Sequence, residues 1–248
     1  MAAPGRGKRP GAWLPEIEPA TEEELERCPF CAGREDRTPP ETLRLGDPWR
    51  VRVVPNLYPA FDRQEVVVHS PEHVRSFTEL DDDQVELVAE AWQERIGGDG
   101  ARVLALVNEG RVAGASLPHS HSQLVWTALP RESLERLPAL LQPFEIARRG
   151  GVVAAVHPIG VGPYECLIAP PGGDGALADG LVLLRDVVRR LQAVEGLRPW
   201  NAWLHHGPPW HLHLVPRLTA LAGIELGAGI YVNVLPPELA AERLTPAG

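Results

Sequence analysis

Apolar residues along this chain fall into short β-branched runs and two longer stretches with helical spacing. Arg-Val-Arg-Val-Val at 50–54 and Gln-Glu-Val-Val-Val-His at 64–69 predict strands. Pro55-Asn56-Leu57-Tyr58-Pro59 between them predicts a loop pinned by two prolines. Residues 82–95 place Val85, Leu87, Val88, Ala91 and Trp92 on a helical period behind acidic residues, which suit the dipole of a helix start. Residues 102–108 predict a strand. A glycine-bearing loop follows, then a last strand that runs to about Ala128. The second half repeats the order. Residues 152–156 and 165–169 predict strands, and 177–194 a helix with Leu181, Leu184, Val187, Val188 and Leu191 on one side. Residues 201–205 and 210–215 predict two further strands. Residues 1–27, rich in Pro, Gly and Glu, predict mostly irregular chain.

Each half ends its strand–strand–helix–strand–strand pattern in His-x-His: His119-x-His121, and His211-x-His213. The repeat predicts an α+β fold of two related halves, 1–145 and 146–248, each an antiparallel sheet with packed helices. In an extended segment, side chains two apart leave the same face. His119, His121 and Gln123 therefore share one face. There they set a nucleophile or metal ligand beside a donor able to hold an oxyanion.

Composition narrows the class. The chain has 248 residues, 44% hydrophobic and 23% charged, which is enough for one large or two small soluble domains. No apolar run reaches the length of a membrane span, and no secretory signal is visible. A net charge of −9 argues against non-specific nucleic-acid binding. Three cysteines, an odd number, fit a reducing compartment, so a cytoplasmic location is expected. Cys166 lies in an apolar strand and reads as a small buried hydrophobe. Trp92, Trp126, Trp200, Trp203 and Trp210 read as core or interface.

Cys28-Pro29-Phe30-Cys31-Ala32-Gly33 reads as half of a zinc site or as a redox pair. Pro29-Phe30 followed by Ala-Gly does not favour the helix start that a redox pair wants. Zinc requires two further ligands. With no second Cys-x-x-Cys in the chain, histidines must supply them, and the candidates are His69, His73, His119 and His121.

Several motifs together resemble the galactose-1-phosphate uridylyltransferase family of the histidine-triad superfamily. They are Cys28-Pro-Phe-Cys31-x-Gly, Thr38-Pro39-Pro40-Glu41, Pro55-Asn56-Leu57-Tyr58-Pro59-Ala60, Ser70-Pro71-Glu72-His73, Asn108-Glu109-Gly110 and His119-x-His121-x-Gln123. Their order and spacing hold over residues 6–127. The second half resembles the family's second repeat at 210–217 and 223–233. The resemblance implies a zinc site of Cys28, Cys31, His73 and His119. It implies His121 as the nucleophile that forms a covalent nucleotidyl-imidazole, and Gln123 as the hydrogen-bond donor to the phosphoryl oxygen. Asn108 and Ser116 match polar positions on the phosphate or sugar side, and Asn56 matches a position near the nucleoside. A second metal, iron or zinc, is implied near His206, His211 and His213; the alternative is that these are polar residues on a strand beside Trp203 and Trp210.

The chain also departs from the family. Its first matching piece is Arg6-Gly7-Lys8-Arg9-Pro10, after the family's usual first strand, so arginines that contact nucleotide phosphates are expected to be missing. Leu57 stands where typical members carry an acid for the ribose. Ala228 and Gly229 stand where they carry hexose-lining residues, a pattern closer to the ADP-glucose phosphorylase branch. The implied activity is transfer of a nucleoside monophosphate, UMP in the family's galactose metabolism, between a nucleotide sugar and a hexose 1-phosphate by a cytoplasmic homodimer. The alternatives are a phosphorylase or hydrolase of the same superfamily, or a zinc-stapled nucleotide-binding protein without catalysis.

Overall fold

The computed structural model describes residues 3–8, 13–97, 103–127, 141–206 and 210–246. Arg9, Pro10, Arg102 and Ala128, at the margins of predicted segments, lie outside these residues. Ten strands among the described residues pair antiparallel in one sheet. They are β1 Leu43–Leu45, β2 Val51–Pro55, β3 Gln64–Val68, β4 Val103–Glu109, β5 His121–Trp126, β6 Glu145–Arg149, β7 Val152–Val156, β8 Cys166–Ala169, β9 Trp200–His205 and β10 His211–Pro216. The order across the sheet is β1-β2-β3-β5-β4-β9-β10-β8-β7-β6. From either edge inward, each set of five has the same order, as a duplicated unit requires. The two sets join at β4 and β9, with Asn108 opposite Asn201 and Ala105 opposite Leu204. The outermost strands β1 and β6 were not anticipated. They are short and carry Arg44, Glu145, Arg148 and Arg149, charges that discourage further pairing at an edge.

Helices α2 (Asp82–Ile96) and α3 (Leu177–Glu195) are the two predicted from spacing. Asp81 caps α2, its Oδ1 accepting from the Gln84 amide at 2.7 Å. A short helix α1, Glu22–Arg27, corrects the expectation of irregular chain up to residue 27. Its signal was Thr21-x-x-Glu24: the Thr21 hydroxyl accepts from the Glu24 amide at 3.2 Å. Short helices α4 (Gly223–Ala228) and α5 (Pro237–Leu244) follow the last strand. No helix among the described residues is long and apolar enough to cross a membrane.

Strand alternation sorts the chemistry from the core. Val51, Val53, Val67, Val103, Ala105, Val107, Leu124, Ala202, Leu204, Leu212 and Leu214 point to the face that α2 and α3 cover, and there they form the main core with Val88, Trp92, Leu184 and Val188. The intervening residues, Arg52, Gln64, His121, Gln123, Asn108, Asn201, His205, His211 and His213 among them, belong to the opposite face. A small apolar cluster of Cys28, Phe30, Trp49, Val54, Val66 and Val68 covers the first half of that face. Cys166, Trp92 and Trp200 are buried as expected, while Trp126, Trp203 and Trp210 are half-buried.

Candidate active site

The Cys28–Cys31 turn is placed by the end of α1 and by the segment after β3. The Cys28 amide donates to Glu24 O at 3.1 Å, and the Ala32 amide to Pro71 O at 2.9 Å. The Ser70 hydroxyl accepts from the Glu72 amide at 3.1 Å, a local turn that presents His73. The Ser120 amide then donates to Val74 O at 2.7 Å, which brings His119 against the same turn.

Four side chains converge there. Cys28 Sγ lies 3.4 Å from His119 Nδ1, Cys31 Sγ 3.3 Å from His73 Nδ1, and Cys31 Sγ 3.7 Å from His119 Nδ1. All four ligand atoms lie within 4.8 Å of one another. A tetrahedral zinc with ordinary Zn–S and Zn–N bonds spaces its ligands about 3.6 Å apart, so these residues fit a metal ion. Their outer nitrogens are fixed as well: His119 Nε2 donates to Ser70 O at 3.0 Å, and His73 Nε2 faces Glu24 Oε1 at 2.9 Å. Each ring thereby keeps its Nδ1 lone pair for the cluster. Arg75 Nε holds the same Glu24 oxygen at 2.7 Å. Burial keeps His119 neutral, with its pKa down at about 3. Burial, reinforced by Cys28, pushes the Cys31 thiol up to about 11, and a bound cation favours its thiolate.

His121 is buried beside this cluster. Its Nδ1 donates to the carbonyl of His119 at 2.7 Å, which leaves Nε2 with the lone pair, and burial lowers its pKa below the ordinary imidazole value. Phe30 packs edge-on against both rings, with centroids 5.8 Å from His119 and 5.5 Å from His121. Two residues on, Gln123 Oε1 accepts from Gln64 Nε2 at 2.6 Å, so the Gln123 NH2 is the end turned outward to donate.

His69, one of the four histidines that sequence spacing left open as a zinc ligand, is elsewhere. It lies on the helix-covered face, with Nδ1 2.9 Å from the Ser120 hydroxyl and Nε2 2.9 Å from the Ser122 hydroxyl. Trp92 Nε1 donates to Ser122 at 2.8 Å, so α2 locks the back of the strand that carries His121.

Of the remaining predicted residues, Asn108 and Ser116 line a cavity and a cleft beside this cluster, and Asn56 does not. Asn108 lines a small cavity with His119, His121 and Leu117. Ser116 lines the adjoining cleft of about 510 Å³ with Cys28, Arg75 and Arg111. Asn56 sits apart, at the far end of β2, where its Oδ1 accepts from the Tyr58 amide at 2.9 Å and shapes the exposed Leu57-Tyr58 loop. Sequence reasoning did not assign roles to Glu24, Phe30, Gln64 or Glu109. Glu109 lines both cavities; burial lifts its carboxyl to about 7, against donors from the Phe77 amide and the Ser76 hydroxyl. The alternation that set His121 and Gln123 on one face was visible in the chain; the pairing of β3 with β5 that brings Gln64 to Gln123, and the packing of Glu24 behind His73, were not.

The second histidine group is His205, His211 and His213, whose ring nitrogens lie within 4.8 Å of one another. This corrects the expected trio: His205, not His206, completes it, because His205 and His211 pair across β9 and β10. The His205 and His211 rings stack at 4.5 Å, and His213 stacks on Trp203 at 5.0 Å with Glu165 Oε1 3.4 Å from its Nδ1.

Residues 58–129 match the sequence model of the galactose-1-phosphate uridyl transferase N-terminal domain. The chain resembles the galactose-1-phosphate uridylyltransferase family. An ADP-glucose phosphorylase of Arabidopsis thaliana is 26% identical over 95% of this chain and 86% of its own length. In fold, the chain is similar to the crystal structure of an Arabidopsis thaliana ADP-glucose phosphorylase with bound ADP-glucose. That likeness has a TM-score of 0.81 at 24% identity and covers 100% of this chain and 95% of that one. A solved uridylyltransferase matches with a TM-score of 0.71 at 22% identity over 93% of each chain. These likenesses establish the α+β fold with its shared sheet.

Proposed function

We propose that the protein is a nucleotidyl-transferring enzyme in which His121 Nε2 takes a nucleoside monophosphate from a nucleoside diphosphate sugar. The observation that carries this reading is the His121 Nδ1 bond to His119 O, which leaves a neutral, aimed nitrogen in a buried site. Nε2 attacks the α-phosphorus, a P–N bond forms, and the P–O bond to the sugar phosphate breaks. Hexose 1-phosphate leaves. The imidazole gains positive charge in this step, and the His119 carbonyl is the acceptor that its Nδ1–H then needs more strongly. The Gln123 and Asn108 amides donate to phosphoryl oxygens as their charge grows. An acceptor phosphate oxygen then attacks the same phosphorus, and the P–N bond breaks.

Cys28, Cys31, His73 and His119 would hold zinc, which stiffens the turn and the start of β5 rather than activating water. His205, His211 and His213 would hold a second ion. In this reading the half 1–145 carries the nucleophile and the half 146–248 supports it. The exposed apolar side chains of Leu221, Ile224, Leu226 and Ile230 support a homodimer.

Inorganic phosphate is the favoured acceptor, which makes the reaction a phosphorolysis that yields a nucleoside diphosphate. The similarity to an ADP-glucose phosphorylase over 95% of the chain and Ala228 and Gly229 at the hexose-lining positions support it. Uridylyl transfer to a hexose 1-phosphate is the second reading, supported by the family match at 58–129. Intact-protein mass after incubation with ADP-glucose or UDP-glucose tests both. A nucleoside monophosphate adduct is expected in the wild type and absent in His121→Ala. Phosphate, glucose 1-phosphate or galactose 1-phosphate then identifies the acceptor by which of them discharges it. No adduct and no turnover with either donor, in metal-loaded protein, would overturn the reading.

A further inference from the structure

Where the two halves of the sheet meet, Asn201 on β9 stands opposite Asn108 on β4. Asn201 Nδ2 donates to Asn108 Oδ1 at 2.7 Å and to the carbonyl of Ala113, in the loop after β4, at 2.8 Å. On its other side, Asn201 Oδ1 accepts from Arg217 Nη1 at 3.1 Å. Arg217 follows the last residue of β10, and its own amide donates to Pro199 O at 2.7 Å, which holds it next to β9.

This row has a sense built into it. A side-chain amide can turn either end to a neighbour, but a guanidinium carries donors only. Arg217 therefore takes the carbonyl end of Asn201. The Asn201 NH2 must face the other way, where one hydrogen goes to Asn108 Oδ1 and the other to Ala113 O. The Asn108 carbonyl is then used, and its NH2 remains for a ligand. Gly114, with φ +95°, lies alongside; a Cβ there would sit 3.6 Å from Asn108 Nδ2. That spacing is ordinary van der Waals contact; it is the positive φ that calls for glycine here.

We infer that Arg217 and Asn201 are positioning residues, which hold Asn108 as a hydrogen-bond donor to a phosphate oxygen in the cavity it shares with His121. Asn108 with its carbonyl outward would repel the same oxygen. The second half of the chain thus acts on the first through one amide. This inference rests on the proposed nucleotidyl chemistry of that cavity.

The test measures, by calorimetry, binding of a nucleoside and of its 5′-monophosphate to His121→Ala protein, using adenosine with AMP and uridine with UMP. Arg217→Met and Asn201→Asp are introduced in that background. Asn201→Asp retains a partner for Arg217 but accepts only, so it demands a donor from Asn108. Both changes are expected to weaken monophosphate binding about tenfold or more while nucleoside binding stays within about twofold. Arg217→Lys, which keeps a donor-only group, is expected to recover most of the loss. Equal weakening of nucleoside and monophosphate would mark a merely structural role and overturn the inference, as would unchanged monophosphate binding in both variants. If the parent protein binds neither monophosphate, the reading of the cavity fails, and the inference with it.

Discussion

His121 Nδ1 donates to the carbonyl of His119 at 2.7 Å, two residues back, just before β5 begins. One residue therefore serves two purposes: the ring of His119 belongs to the Cys28–Cys31–His73 cluster, and its backbone sets the tautomer of His121. Whatever fixes the cluster also fixes the nitrogen proposed to attack.

Cys28→Ser is accordingly expected to lower the metal content by about one ion per chain and the thermal midpoint by roughly 5–15 °C, since structural zinc contributes folding free energy. Elemental analysis beside a melting curve checks this. Unchanged metal content would remove Cys28 from the ligand set.

His121→Ala and His119→Ala are expected to separate. The first should keep its metal and lose turnover by a factor on the order of 10⁴ or more, as a lost nucleophile does. The second should lose both. Metal retained in His119→Ala would contradict the division between these neighbours.

Gln64 Nε2 donates to Gln123 Oε1 at 2.6 Å, and in the proposed reaction it acts through that bond. Gln64→Leu should slow adduct formation roughly tenfold, and Gln123→Ala about a hundredfold, with metal content unchanged in both. Single-turnover mass spectrometry provides the rates. If Gln64→Leu reacts at the wild-type rate, Gln123 is held by something else.

Acid should destabilise the fold in part through His69. Burial, helped by His121 and His119, holds its pKa well below the ordinary 6.5. Below about pH 6.5 the unfolded chain takes up a proton that the folded chain refuses. Stability is therefore full above that pH and falls as the pH drops toward the folded value, by about 1.4 kcal/mol per pH unit for one histidine. His69→Gln should lose roughly 1–2 kcal/mol less than wild type between pH 7 and pH 5 in urea titrations. Identical losses would assign the acid sensitivity to other groups.

The two long helices, most of the strands and their duplication were legible in the sequence because they rest on local periodicity. Val85, Val88 and Trp92 on one side of a helix, or Val67 between Val66 and Val68 on a strand, depend on backbone geometry alone. The same alternation put His121 and Gln123 on one face. It also separates His205 from His206, so that correction was within reach of the chain itself. The short helix after Thr21 was likewise signalled by its cap.

Other features belong to the tertiary structure. Cys28 meets His119 across 91 residues, and Asn108 meets Asn201 across 93. Nothing in either local pattern orders His73 and His119, rather than His69, into the cluster. His69 is taken by Ser120 and Ser122 because α2 covers that face and Trp92 reaches Ser122. The chain by itself determined which residue types alternate on which face. Which of them touch was decided by strand order and helix packing, since contacts between distant segments depend on how the whole sheet closes and not on the period of any one strand.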